Sequence, residues 1–208
     1  MKFDLADVKA LADNCAFGPT GDPFLDARWD AHVARFGHGV PYWRFFHQLC
    51  QALEPGLAVE LGAWQATCAA HMAAGGAATV ATIDHHSDPG DDVNERLSLE
   101  AAQRYAGLFY LKGWTWDRVD DVRALGKPID LLFIDSWHQY DYARRDWETY
   151  APLLATPALV ACDDLIVGDF ATIAGMQRFW SEISGGRERF VSRRIHPGFP
   201  VGFFKWTG

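Results

Sequence analysis

Val59-Glu60-Leu61-Gly62-Ala63-Trp64-Gln65-Ala66-Thr67 decides how this 208-residue chain is read. It begins as a short apolar strand with Leu57 and Ala58, passes through an acid and a glycine, and opens into the alanine-rich run 66–74. Gly62 lets backbone approach a bound group closely, and the free N–H groups of a new helix point at that group. Such a turn is a ligand cradle or simply a strand–helix turn, and acids spaced regularly down the chain decide between them. A second strand ends at Asp84, a fourth at Asp135 and a fifth at Asp163-Asp164. Ligands of open α/β sheets bind beyond the carboxyl ends of the strands, so these acids and Glu60 define one working rim.

Working outward, strands are expected at 57–61, 78–83, 108–111, 129–134 and 158–162. Helices are expected between them at 66–74, 94–105, 116–125 and 141–151, with a further helix at 171–183 carrying Ile173, Met176, Phe179 and Trp180. Apart from Asp130, the run 129–134 is continuously apolar, as in a strand buried on both faces. Two β segments, 190–194 and 201–206, come after it with no helix between them, which fits an antiparallel edge on a mostly parallel sheet. Residues 1–55 read as helices: a short one at 3–11, another at 26–36, and one opening at Pro41 whose stripe is Phe45, Phe46, Leu49, Cys50 and Leu53. The expected architecture is one α/β domain, Rossmann-like and doubly wound. Its seven-stranded, mostly parallel sheet lies in a core over 56–208, under a helical N-terminal cap over 1–55.

The hydrophobic fraction of 49% is that of an ordinary globular domain, and the length suffices for a proper core. A net charge of −8 argues against a nucleic-acid backbone as partner. Cys15, Cys50, Cys68 and Cys162 are scattered without CxxC spacing, and Cys68 and Cys162 lie in apolar runs as buried thiols. A cytoplasmic setting is expected. The opening Met1-Lys2-Phe3-Asp4 has no apolar signal core, and no stretch is long enough to span a bilayer. Nine tryptophans, several in expected loops, suggest an aromatic-lined pocket. The sequence leaves the oligomeric state open, a homo-oligomer included.

Glu60 and Gly62 would cradle the amino-acid end of a nucleoside-type cofactor. The loop is not the dinucleotide GxGxxG pattern, because Ala63, Trp64 and Ala66 fill it, which argues against a nicotinamide oxidoreductase. Asp84 stands about twenty residues after Gly62, where a carboxylate accepts hydrogen bonds from ribose hydroxyls; a helix N-cap is the plainer alternative. His85 and His86 come next, with no third nitrogen or sulfur ligand near them in sequence. Strands four and five should be neighbours, bringing Asp135, Asp163 and Asp164 together. Three anions in one cleft repel, and a divalent cation removes the conflict; all-oxygen ligation suits Mg²⁺. The alternative is a set of caps and solvated turn acids. His138, in Asp135-Ser136-Trp137-His138, would take a proton from a hydroxyl near neutral pH, or would only cap the next helix. Trp137 would stack on an adenine or acceptor ring, or roof the pocket.

With these residues in place, the chain resembles the class I S-adenosylmethionine-dependent methyltransferases, and within them the metal-dependent O-methyltransferases of the catechol O-methyltransferase type. The resemblance runs over 41–165. Val59-Glu60-Leu61-Gly62-Ala63-Trp64 is similar to that family's first motif, Asp84 to its ribose acid, and Phe133-Ile134-Asp135-Ser136-Trp137-His138 to its strand-four motif. Asp163-Asp164 is similar to its Asp-Asn metal pair, with Asp in the second place. The resemblance implies that Glu60, Gly62, Ala63 and Asp84 hold S-adenosylmethionine; Trp64, His85, Asp135 and Trp137 are expected around the same cofactor. It implies that Asp135, Asp163 and Asp164 hold Mg²⁺. The chain departs from the family at Ala66 (second glycine), at Cys68 (often Ser), at Gly113-Trp114-Thr115 (no acid after strand three) and at His138 (Lys). The expected activity is methyl transfer to a hydroxyl of a small molecule, with His138 as base. The rival expectation is a cofactor-binding protein of the same fold without turnover.

Overall fold

The computed structural model describes residues 2–87, 90–165, 171–196 and 198–208, and of 171–174 only the backbone. The Ile173 side chain, expected on an apolar helix face, lies outside the described residues. The centre of the molecule is β4 (Ile129–Ile134), the apolar run whose side chains are all buried. Alternation along it divides the core. Leu131 and Phe133 face one helical layer, and Leu132 and Ile134 face the other.

The strands are β1 (Ala58–Leu61), β2 (Val80–Asp84), β3 (Leu108–Lys112), β4, β5 (Leu154–Cys162), β6 (Arg189–Ser192) and β7 (Val201–Trp206). They form one sheet in the order β3-β2-β1-β4-β5-β7-β6. The first five are parallel, while β7 runs antiparallel to β5 and β6. This is the sheet expected from the apolar runs, and β4 and β5 are the expected neighbours. The strand order reverses between β1 and β4, and the crevice opens there.

On one face lie α1 (Leu5–Asn14), α2 (Pro23–Phe36), α3 (Pro41–Leu53), α4 (Thr67–Ala74) and α5 (Asp91–Arg104). On the other lie α6 (Val119–Ala124), α7 (Tyr140–Tyr150) and α8 (Ala171–Ser184). Asp4 and Asp22 cap α1 and α2 by accepting from backbone N–H groups two residues on, and Pro23 occupies a favoured first-turn position. The N-terminal helices α1, α2 and α3 belong to the core layer on the first face of the sheet. Phe45 and Phe46 of α3 pack against Phe133 and Phe203 of the sheet, and its Tyr42 reaches the rim.

Two expected elements differ. The helix at 116–125 is a 3₁₀ turn (Thr115–Arg118) followed by the short α6. Strand five begins four residues earlier than its apolar run, because a register shift opposite Ile129 to Leu131 accommodates Pro157, which has no N–H for the ladder. All four cysteines are buried and free. Among the described residues no helix is long and apolar enough to cross a membrane.

Candidate active site

The motif loop between β1 and α4 is shaped by what lies behind it. Gly62 has φ +98°, and a Cβ there would sit 2.1 Å from the Asp135 carbonyl oxygen. The exits of β1 and β4 therefore lie back to back, and only glycine allows it. Trp64 (φ 45°) and Ala66 (φ 51°) also adopt left-handed backbone, which costs a non-glycine residue roughly 1–2 kcal/mol. Ala66 stands where the resembled family has its second glycine, in a conformation that favours one. Long-range contacts hold the loop in this shape. Trp64 N–H donates to Asp84 Oδ2 (2.8 Å), and Arg28 donates to the Gln65 carbonyl (2.8 Å) and to the Leu97 carbonyl of α5 (2.6 Å). His86 bridges the Trp64 carbonyl (2.7 Å) and the Tyr110 hydroxyl (2.6 Å), a structural role.

At the β1/β4 switch lies a cavity of about 380 Å³. Of the residues expected at a cofactor, Gly62, Trp64, Asp84, His85, Asp135 and Trp137 line it. Glu60 and Ala63 are buried and are not among its lining residues. Glu60 shares the parity of Ala58 on β1, and Ala58 belongs to the core layer formed with α3 and α4. The Glu60 carboxyl takes hydrogen bonds from the Thr82 hydroxyl and the Cys68 thiol, and burial pushes its pKa up to about 8.

Aromatic rings wall the cavity. Trp114 stacks on Trp116 at 5.0 Å and 9°, Trp137 on Tyr142 at 5.7 Å and 27°, and His85 lies 4.4 Å from Trp114. The loops after β3 and β4 carry most of these rings. Asp146 of α7 joins the two loops: fully buried, it accepts from the hydroxyls of Thr115 and Ser136. Tyr150, one turn further along α7, donates to the Thr115 carbonyl at 2.6 Å.

Beyond the ends of β4 and β5 the three acids converge with two imidazoles. His138 Nδ1 is 2.5 Å from Asp164 Oδ2, and its Nε2 is 3.5 Å from Asp135 Oδ1. His196 Nδ1 is 3.1 Å from Asp163 Oδ1, and Tyr42 donates to Asp135 Oδ2 at 3.1 Å. Burial and the Asp163 charge push Asp135 up to about 7, and burial and Asp164 hold Asp163 well above the carboxylate range. Burial alone would lower His138, but hydrogen bonds and charge from Asp135 and Asp164 outweigh it and push it up to about 10. Without an ion, therefore, the two carboxylates favour the charged form of His138. Mutually repelling carboxylates of this kind, with Asp163 buried, fit a divalent cation. Asp163, Asp164 and His196 each offer a ligand atom, all within 4.8 Å of one another.

Tyr42, Asp146 and His196 escape the sequence reading. Tyr42 begins an amphipathic helix and reads as core. Asp146 is one acid among the charges of α7. His196 had a topological signal: because β7 runs antiparallel to β5, the residues just before Val201 return to the rim beside Asp163.

Fold and site together define a class. A 3-2-1-4-5-7-6 sheet, a glycine turn after β1, an acid after β2 and an aromatic cavity at the switch point are the architecture of class I methyltransferases. Residues 59–165 match the family model described as a methyltransferase domain, and the chain belongs to that family. Solved structures share the fold. An O-methyltransferase from Bacillus cereus in complex with SAH is 16% identical with a TM-score of 0.69, covering 98% of this chain and 97% of that one. The O-methyltransferase TomG from Streptomyces achromogenes, involved in tomaymycin synthesis and in complex with SAM, is 16% identical with a TM-score of 0.68, covering 99% and 97%. The SAH-bound Podospora anserina methyltransferase PaMTH1 is 16% identical with a TM-score of 0.66, covering 100% and 98%. No curated protein matches the chain in sequence.

Proposed function

We propose that this methyltransferase moves a methyl group from S-adenosylmethionine to a hydroxyl oxygen of a small molecule, with the help of a divalent cation. The observation that carries the reading is the convergence of Asp135, Asp163 and Asp164 beside the aromatic cavity at the β1/β4 switch. The aromatic walls and Asp84 would hold the nucleoside part of the cofactor, and the motif loop its amino-acid end. The three acids would hold the cation, which when bound polarises the acceptor oxygen and lowers its pKa. With the carboxylates engaged by the cation, the His138 imidazole would be free to accept the hydroxyl proton while the methyl group passes from sulfur to oxygen. The fixed rims of β1, β4 and β5 would supply orientation, the main source of acceleration. The SAH- and SAM-bound states of the Bacillus and Streptomyces structures, which share the fold, support the choice of cofactor.

Calorimetry with S-adenosylhomocysteine and with NAD, followed by transfer of labelled methyl to a panel of small phenols, catechols and sugars, tests the reading. Tighter binding of the homocysteine compound, and transfer abolished by chelator and restored by cation, are expected. Binding without transfer to any acceptor would favour a non-catalytic binding protein, and transfer at full rate in chelator would remove the cation.

A further inference from the structure

We infer that His196 is a nitrogen ligand of the cation centre, and that the centre therefore selects a first-row transition-metal dication over Mg²⁺. The inference rests on the cation-assisted reading proposed above and specifies which ion that site takes.

His196 Nδ1 and Asp163 Oδ1 share a hydrogen bond, and their separation also suits neighbouring ligands on one ion. Bonds of about 2.1 Å at right angles place two ligand atoms about 3.0 Å apart. His196 Nδ1 and Asp163 Oδ1 are 3.1 Å apart, and Asp164 offers a third atom within 4.8 Å of both residues. The imidazole is held there. Its ring lies 5.1 Å from that of Tyr42 on α3 and 5.2 Å from that of Phe199. Tyr42 also donates to Asp135, so one residue orients two sides of the centre.

Charge points the same way. The Asp163 side chain is only 4% exposed, yet among the described residues no Lys or Arg forms an ion pair with Asp135, Asp163 or Asp164. Their ion-pair partners there are His138 and His196 alone. Mg²⁺ prefers oxygen ligands in a near-ideal octahedron and gives up water reluctantly, whereas imidazole suits zinc, iron and nickel. A mixed carboxylate–imidazole set follows the affinity order that rises from Mn²⁺ through Co²⁺, with Zn²⁺ also above it.

The test uses the full chain, stripped of metal, and reads binding rather than turnover. Co²⁺ and Mg²⁺ are titrated into wild type and His196→Asn by calorimetry. Wild type should bind Co²⁺ roughly tenfold or more tightly than Mg²⁺, and His196→Asn should lose roughly tenfold or more in Co²⁺ affinity with little change for Mg²⁺. Electron spin echo on Mn²⁺-loaded wild type should show modulation from a coordinated nitrogen. That modulation should persist in His138→Gln and vanish in His196→Asn. The wild-type and His138→Gln spectra decide the matter even if His196→Asn does not fold. Equal affinity for Mg²⁺ and Co²⁺, or no nitrogen modulation, would overturn the inference and leave a cation-assisted enzyme standing. Wild-type protein that binds no ion overturns it too, and undiminished transfer in chelator then shows that the cation-assisted reading has failed with it.

Discussion

Gly62 shows how one residue ties the cradle to the rest of the rim. Its positive φ and the contact a Cβ would make with the Asp135 carbonyl are independent reasons for glycine. Gly62→Ala should destabilise the fold by about 2 kcal/mol or more, because the left-handed backbone and the overlap add. It should also weaken S-adenosylhomocysteine binding, since separating β1 from β4 opens the cavity floor. Urea unfolding and calorimetry read the two effects, and an unchanged unfolding midpoint would show that the two loops slide apart freely. The glycine was legible in sequence as a close approach. What approaches it, the carbonyl of Asp135, was not, because register between parallel strands is a long-range property.

At the scale of elements, α7 organises the cavity from behind. The sequence shows its apolar face, Ala143, Trp147 and Tyr150, and says nothing special about Asp146. The fold buries Asp146 completely and turns it into the acceptor for hydroxyls on two loops. Removing it leaves the buried Thr115 hydroxyl without a partner, worth about 1–3 kcal/mol, and the half-buried Ser136 hydroxyl, worth less because water reaches it. Asp146→Ala should therefore cost about 2–4 kcal/mol in denaturant unfolding. It should also weaken cofactor binding, because Trp114 and Trp137 are carried by the loops that Asp146 joins. Asp146→Asn keeps an acceptor and should recover part of both losses. If Asp146→Ala binds the cofactor like wild type, the walls do not depend on this clamp.

For the whole molecule, burial of titratable groups gives stability a pH dependence of two signs. Glu60 has its pKa raised in the folded state from 4.5 to about 8, so the folded protein binds the extra proton and stability from this group falls as pH rises through that window. His71, fully buried on α4, has its pKa lowered by burial from 6.5 to about 4, so stability from it falls as pH drops through that window. The two oppose each other between 4.5 and 6.5; from 6.5 to 8 Glu60 lowers stability as pH rises, joined by His138, raised to about 10, and up to about 7 by Asp135. Glu60→Gln should gain on wild type by about 1.4 kcal/mol per pH unit across its window, and His71→Gln should gain similarly as pH falls through its own. Melting curves from pH 4 to pH 8 check both, and parallel curves for wild type and variants would place these groups in contact with water.

By itself the sequence determined the layers and the strand ends. Apolar runs punctuated by glycine and acid are local signals, and parallel strands need helical crossovers of readable length. Those signals alone made β4 and β5 neighbours and brought Asp135, Asp163 and Asp164 to one rim. Only the tertiary structure decided which way Glu60 points, that Asp146 joins two loops, that His138 is held between Asp135 and Asp164, and that His196 returns to Asp163. Each depends on side chains brought together from distant segments by sheet order and burial. Spacing along the chain carries no record of such meetings, because they are set by packing in space and not by period in sequence.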